Sequence, residues 1–243
     1  MFENRIAVVT GGTGALGKMV VDLFAEKGMK VYVPTLTVDK CKEVFDNSQT
    51  AASPSEFKLR KIFCLQCDAS IEEDVRNFIN DILKRESKID YLVNTVGGYH
   101  TKKNIVDMDN ELVDKMLTLN FKTSFFFSKN VLKTMLEKNF GRIIAIGAMP
   151  AVEITAGKFA YSVSKSNVVN LIQTIAEETK ENDITANAII PSTIDTPANR
   201  ESMKNADFSK WVKPEDIAET ILFLLSDSAK SFRGNVIKMY GGI

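Results

Sequence analysis

Apolar residues along this chain follow two rhythms that alternate from one end to the other. Short, β-rich runs occupy residues 5–10, 29–33, 61–67, 89–94, 142–146, 184–190 and 235–240, the second ended by Pro34. Between such runs the apolar positions recur at helical spacing. Leu16, Met19, Val20, Leu23 and Phe24 share one face of a helix over residues 16–27, and Gly28 supplies its C-terminal stop. A helical patch covers 38–45, and long helices cover 110–138 and 159–180. This alternation predicts a doubly wound α/β fold, a seven-stranded parallel sheet with helices on both faces.

Two polar stretches break the rhythm. Residues 47–54 read as a connector. Residues 192–213 contain Pro197 and precede a helix opened by Pro214, Glu215 and Asp216. A segment of that length between strand and helix predicts a lid. No internal repeat, low-complexity tract or domain boundary is visible, so residues 1–243 read as one domain.

Composition narrows the function classes. The 243 residues are 44% apolar and 26% charged, and 31 basic side chains cancel 31 acidic ones. That balance excludes a polybasic nucleic-acid binder held by phosphate contacts. No apolar run is long enough to cross a bilayer, and the N-terminus lacks a signal-peptide layout. The expectation is a cytoplasmic protein with a small-molecule substrate, no nucleic acid and no membrane. Cys41, Cys64 and Cys67 fit buried, reduced thiols in a reducing compartment. Cys64 and Cys67 have the spacing of a redox or zinc half-motif, but they lie in a strand, and no second pair or local histidine completes four zinc ligands, so no metal is expected.

The turn Thr10-Gly11-Gly12-Thr13-Gly14-Ala15-Leu16-Gly17 joins the first strand to the first helix. Glycines there let a pyrophosphate approach the backbone, and the helix start favours that anion. Tyr161 and Lys165 lie four apart on one face of the long second helix. A lysine ammonium near the phenol lowers its pKa and suits Tyr161 to exchange a proton with a substrate oxygen. His100, the only histidine, reads as a surface loop residue. Phe125, Phe126 and Phe127 read as core plus subunit contact.

Together with Asn94-Thr95-Val96-Gly97 after the fourth strand, these motifs closely resemble the short-chain dehydrogenase/reductase family over nearly the whole chain. The resemblance implies a Rossmann fold, NAD(P)(H) as cofactor and a homodimer or homotetramer. By the same resemblance Gly11, Gly14 and Gly17, with Thr13, Ala15 and Leu16, form the phosphate turn. Asp68 contacts the adenine, with Ala69 beside it, and Asn94, Val96 and Gly97 lie next to the cofactor. Asn120 matches the asparagine that anchors a proton-relay water, Tyr161 the acid/base, and Lys165 the group that holds the nicotinamide ribose and tunes the tyrosine. Pro191 and Ile194 to Thr196 match the loop that fixes the nicotinamide carboxamide.

The departures from the pattern are as informative. The family's serine, thirteen residues before the tyrosine, is Ala148 here, which removes a hydrogen-bond donor to the substrate oxygen. Thr155, Ser162 and His100 are candidate substitutes. The dihydropteridine reductase branch also lacks that serine and shares Gly-Ala-Leu-Gly in its turn. No acidic residue ends the second strand within Val33-Pro34-Thr35-Leu36-Thr37, which leans the cofactor slightly to NADP(H). The leading reading is an NAD(P)-dependent oxidoreductase acting on a carbonyl or alcohol. Its rivals are a pterin or imine reductase and a silent nucleotide-binding sensor or scaffold.

Overall fold

The computed structural model describes residues 2–46, 61–100 and 102–242. Seven strands form one sheet: β1 (Ile6–Thr10), β2 (Lys30–Thr35), β3 (Ile62–Gln66), β4 (Tyr91–Asn94), β5 (Gly141–Ile146), β6 (Ile184–Pro191) and β7 (Val236–Met239). Their order is β3-β2-β1-β4-β5-β6-β7, with every pairing parallel. Successive side chains of a strand point to opposite faces, and here both faces are covered. Ile6 and Val8 of β1 point into one core layer and Ala7 and Val9 into the other.

The first layer is closed by α3 (Glu72–Glu86), α5 (Thr123–Lys138) and α6 (Phe159–Glu178), through Phe78, Ile82, Phe127, Val131, Val168 and Ile172. The second is closed by α1 (Ala15–Glu26), α2 (Val38–Asp46) and α8 (Pro214–Leu224), through Val20, Phe24, Cys41, Phe45, Ile217 and Ile221. In both, apolar side chains three and four residues apart form the face that packs on the sheet. No helix among the described residues is long and apolar enough to cross a membrane.

Several local expectations are corrected. β2 runs through Pro34 to Thr35. The ladder to β1 ends at Tyr32, so Pro34 pairs only with Leu65 of β3 and its missing N–H breaks nothing on the other side. Helix α3 had not been singled out in the sequence. The long helix over 110–138 is interrupted: α4 (Asn110–Met116) passes into a π-helical turn, Leu117–Lys122, before α5. Cys41 of α2 and Cys64 of β3 form a disulfide with a Cα separation of 6.1 Å, and only Cys67 is a buried free thiol. The expected set of three reduced thiols is therefore wrong. A reducing compartment loses that support, because sheet packing brings together two cysteines 23 positions apart. The connector at 47–54 lies outside the described residues. Within 192–213 the chain forms α7 (Pro197–Ser202) and a 3₁₀ turn, Phe208–Lys210.

The chain builds outward from β1 to β3 and then returns to place β4 on the other side of β1. That reversal opens a crevice beyond the C-terminal ends of β1 and β4, where Thr10 and Asn94 are paired. The glycine turn, Asn94 to Gly98, Ile146 to Met149 and Pro191 all converge on this edge.

Candidate active site

One half of the crevice is a groove of about 440 Å³ between the glycine turn and the start of α7, lined by Gly11, Gly14, Gly17, Gly97 and Thr196 among others. Two of its glycines are dictated by geometry. Gly11 has φ +65°, and a Cβ on Gly17 would lie 2.1 Å from the Gly11 carbonyl oxygen. Gly14 caps α1 without a side-chain acceptor, and the first turn carries no acidic residue. The free N–H groups and dipole of α1 therefore face the groove without a competing anion. Ala15 and Leu16 line the same groove, and Thr13 is exposed within the turn. This cradle fits a dinucleotide pyrophosphate.

Polar contacts fix the segments that follow the strands at this edge of the sheet. Asp68 follows β3, where its carboxylate accepts from the Ser70 N–H at 2.8 Å and the Ser70 hydroxyl at 2.6 Å, with Ala69 between them. Asn94 is buried and donates to Ser128 Oγ at 3.2 Å, tying β4 to α5. Thr95 donates through its hydroxyl to the Thr10 carbonyl at 2.6 Å, which fixes the start of the Val96–Gly98 loop against β1. Thr196 caps α7, its hydroxyl accepting from the Asn199 N–H at 3.2 Å.

The other half is a cavity of about 480 Å³ that shares Leu16, Thr95 and Gly97 with the groove. Tyr161, Lys165, Pro191 and Ile194 line it. Lys165 is buried, and its ammonium donates to the Ile146 carbonyl at 2.9 Å. Burial penalises the charge and brings its pKa down to about 8. The Tyr161 phenol is pushed the opposite way from expectation, up to about 12, first by burial and then by the neighbouring Tyr99 phenol. The expected lowering by Lys165 is absent because that ammonium is directed at the end of β5. Tyr99 meets Tyr161 edge to face, with ring centroids 5.2 Å apart.

Gly97 is where these groups meet. A Cβ there would lie 2.8 Å from both Asn120 Oδ1 and Lys165 Nζ. Asn120 sits in the π-helical turn and is wholly buried. Its side chain accepts from the Gly98 N–H at 2.9 Å and donates to the Gly98 carbonyl and Ser164 Oγ, each at 3.1 Å. The asparagine thus clamps the loop after β4 to α6. π-Helical turns inside α-helices often accompany functional sites, because the extra residue redirects side chains.

Ala148 lines the cavity where the serine was expected. Thr155, Ser162 and His100 do not line it. Thr155 donates to the Glu153 carbonyl at 3.4 Å, and the Ser162 hydroxyl is buried in α6. His100 stacks on Tyr99 with centroids 5.6 Å apart and is not part of the cavity lining. The cavity instead presents Tyr99, Lys102, Lys158, Thr193 and Met203, none of which the sequence had assigned. Thr193 and Met203 fall in the segment read as a lid, but no local motif marks any of the five residues.

Comparison with known proteins agrees with this geometry. The family model of short chain dehydrogenases matches residues 5–207. The 7alpha-hydroxysteroid dehydrogenase of Bacteroides fragilis is 28% identical, with 100% of this chain and 95% of that protein covered. An NAD-dependent glycerol dehydrogenase of Listeria innocua is 30% identical over 98% of this chain and 93% of its own length. A solved short-chain type dehydrogenase/reductase from Mycobacterium ulcerans superimposes with a TM-score of 0.90 at 24% identity, covering 99% of this chain and 90% of that one.

Proposed function

Because the chain belongs to the short-chain dehydrogenase family and is an NAD(P)-dependent oxidoreductase, we propose that Tyr161 is its acid/base and that Lys165 and Asn120 position the reacting groups. The observation that carries this reading is the convergence of Asn120 and Lys165 on Gly97, at the junction of the glycine-lined groove and the Tyr161 cavity.

In this reading Gly11, Gly14 and Gly17 at the start of α1, with Thr13, Ala15 and Leu16, would hold the pyrophosphate, and Asp68 and Ala69 would hold the adenine. Asn94, Val96 and Gly97 would lie beside the nucleotide, and Pro191, Ile194 and Thr196 would hold the carboxamide. When bound, the nicotinamide supplies or accepts the hydride. Tyr161 keeps its proton at neutral pH, since burial raises its phenol to about 12, and donates it to the oxygen of a carbonyl being reduced. Lys165, whose ammonium donates to the Ile146 carbonyl, would hold the ribose of a bound nucleotide and bring its charge towards the phenol as the proton departs. Asn120 holds the loop after β4 so that both approach one point. Residues 192–213 close over the substrate as a lid, with Ile194, Asn199 and Met203 already on the cavity wall.

The cofactor is NADPH in preference to NADH, because β2 ends at Thr35 with no carboxylate to repel a 2′-phosphate. The subunits pair as a dimer or tetramer. Fluorescence titration with each nucleotide tests the cofactor: micromolar binding of NADPH, modestly tighter than NADH, is expected. Failure of both to bind at millimolar concentration removes the reading. Nucleotide oxidation with a carbonyl panel then tests turnover, which Tyr161→Phe abolishes while leaving nucleotide binding intact.

A further inference from the structure

The cavity that holds Tyr161 has an unusual charge. Among its lining residues are three lysines, Lys102, Lys158 and Lys165, and no aspartate or glutamate. Lys165 belongs to the inner end beside Gly97. Lys102 and Lys158 lie outside the groove of the glycine turn, so a dinucleotide pyrophosphate on that turn does not account for them.

The backbone holds these two like charges together. The Lys103 N–H donates to the Gly157 carbonyl at 2.9 Å, which ties the segment after β4 to the segment before α6. Gly157 has φ +77°, and a Cβ on it would lie 3.2 Å from Lys102 Cβ, so a side chain at 157 would be strained and would crowd Lys102. The neighbouring Lys103 is neutralised by Asp109 at 2.7 Å. Lys102 and Lys158 have no carboxylate partner of that kind among the described residues. Lys158 lies 5.5 Å from the centre of the Tyr99 ring, and the same ring packs on Tyr161. One aromatic ring therefore contacts both the Lys158 ammonium and the Tyr161 side chain. Burial and the proximity of Lys102 both act against the charge of Lys158, a cost that an incoming anion reverses.

We propose that Lys102 and Lys158 form an anion-binding subsite at the mouth of this cavity, and that the substrate is a small carbonyl compound carrying a carboxylate or phosphate. The inference rests on the reading of the cavity as the substrate site. With the anion on the two lysines and Tyr99 beneath the chain, the carbonyl of the same small molecule reaches Tyr161. Charge-assisted hydrogen bonds at one end then orient a carbonyl that lacks the usual donor at position 148.

Matched pairs test this with the protein and NADPH together. The carboxylate pair is 4-oxopentanoate and its methyl ester, and the phosphate pair is dihydroxyacetone phosphate and dihydroxyacetone. Calorimetry on the binary complex is expected to show binding of at least one anion and to show which kind of anion is preferred. In steady state, the ratio of kcat/KM for that anion over its neutral partner exceeds about tenfold. Lys158→Gln or Lys102→Gln each reduces the ratio by about threefold, the double variant brings it to near one, and the NADPH dissociation constant serves as the control for folding. A ratio near one in the unsubstituted protein, absence of binding by both anions, or a ratio that survives the double variant overturns the subsite. If anions bind through the two lysines yet no carbonyl of either pair is turned over, the subsite stands and the oxidoreductase roles of Tyr161 and Lys165 fall instead.

Discussion

At the scale of single residues, the site is governed by two groups that burial pushes in opposite senses. Tyr161 is held protonated, and Lys165 is held close to losing its proton at physiological pH. If the ammonium form of Lys165 is required, kcat/KM falls as pH rises through about 8 in a profile of the free enzyme. Lys165→Arg, whose guanidinium does not titrate there, lowers activity but removes that alkaline limb. An unshifted limb in the arginine variant assigns it to another group. The stability consequence has the opposite sign. The folded pKa lies below the unfolded one near 10.5, so between about 8 and 10.5 the unfolded chain binds more protons and stability rises with pH. The buried charge costs stability below that window. Lys165→Met should therefore melt higher than the natural chain at pH 7, with the gap closing towards pH 10, while its turnover is lost. A lower melting point at pH 7 would show that the hydrogen bond to the Ile146 carbonyl outweighs the desolvation. Position 148 gives a second test. Restoring a hydroxyl by Ala148→Ser adds up to ~10²-fold in kcat if the site only lacks a donor. With an anion-binding end to orient the carbonyl, the expected result is no gain or a loss, measured on whichever substrate is turned over fastest.

At the scale of elements, the disulfide and the interrupted helix matter most. Cys41 anchors the middle of α2 to Cys64 on the outermost strand of that side of the sheet. A closed loop of this length is worth about 3 kcal/mol in the chain-entropy model. Cys64→Ala, or a dithiol reductant applied to the natural chain, should lower the melting temperature by several degrees, and the reductant should then have no further effect on the variant. Equal melting with and without reductant would show that the bridge adds nothing to stability. The sequence makes the spacing of Cys64 and Cys67 conspicuous, whereas the bond joins residues whose proximity depends on β2 and β3 pairing in register. Long-range partners of that kind leave no local pattern. Helix α3 is a different case, because its signals are local. Glu72, Glu73 and Asp74 open it, Val75, Phe78, Ile79 and Ile82 form its buried stripe, and Lys84 and Arg85 close it. The π-helical turn was illegible, since Leu117 to Lys122 continues the helical rhythm and the added residue shows only in the backbone.

At the scale of the whole molecule, strand alternation is enough to give the parallel sheet and to set the glycine turn and the tyrosine–lysine pair at one edge. It does not reveal that Lys103 and Gly157 bond across two loops, and so it leaves the charge of the cavity mouth unseen. The same separation of local from global applies to assembly. Of the apolar stripes on the two long helices, Val168, Ile172 and Ile175 are buried against the sheet, as is Phe127, which packs edge to face on Phe78. These residues are core and cannot serve an interface. Phe121 and Phe125 are only half-buried and stack on each other at 5.9 Å, Lys129 lies over Phe125 at 5.8 Å, and Leu136 is 44% exposed further along α5. An apolar ridge on a surface helix is most simply covered by the same ridge of a second copy, because a two-fold axis makes one patch its own partner. Light scattering should then give a dimer or tetramer mass at micromolar concentration. Phe125→Glu places a carboxylate at the centre of the ridge, desolvated and facing its own symmetry mate if the copies pair there, and should shift the mass towards the monomer without changing the far-ultraviolet dichroism. A monomeric mass for the natural chain overturns the pairing, and an unchanged oligomer in the variant moves the interface off α5.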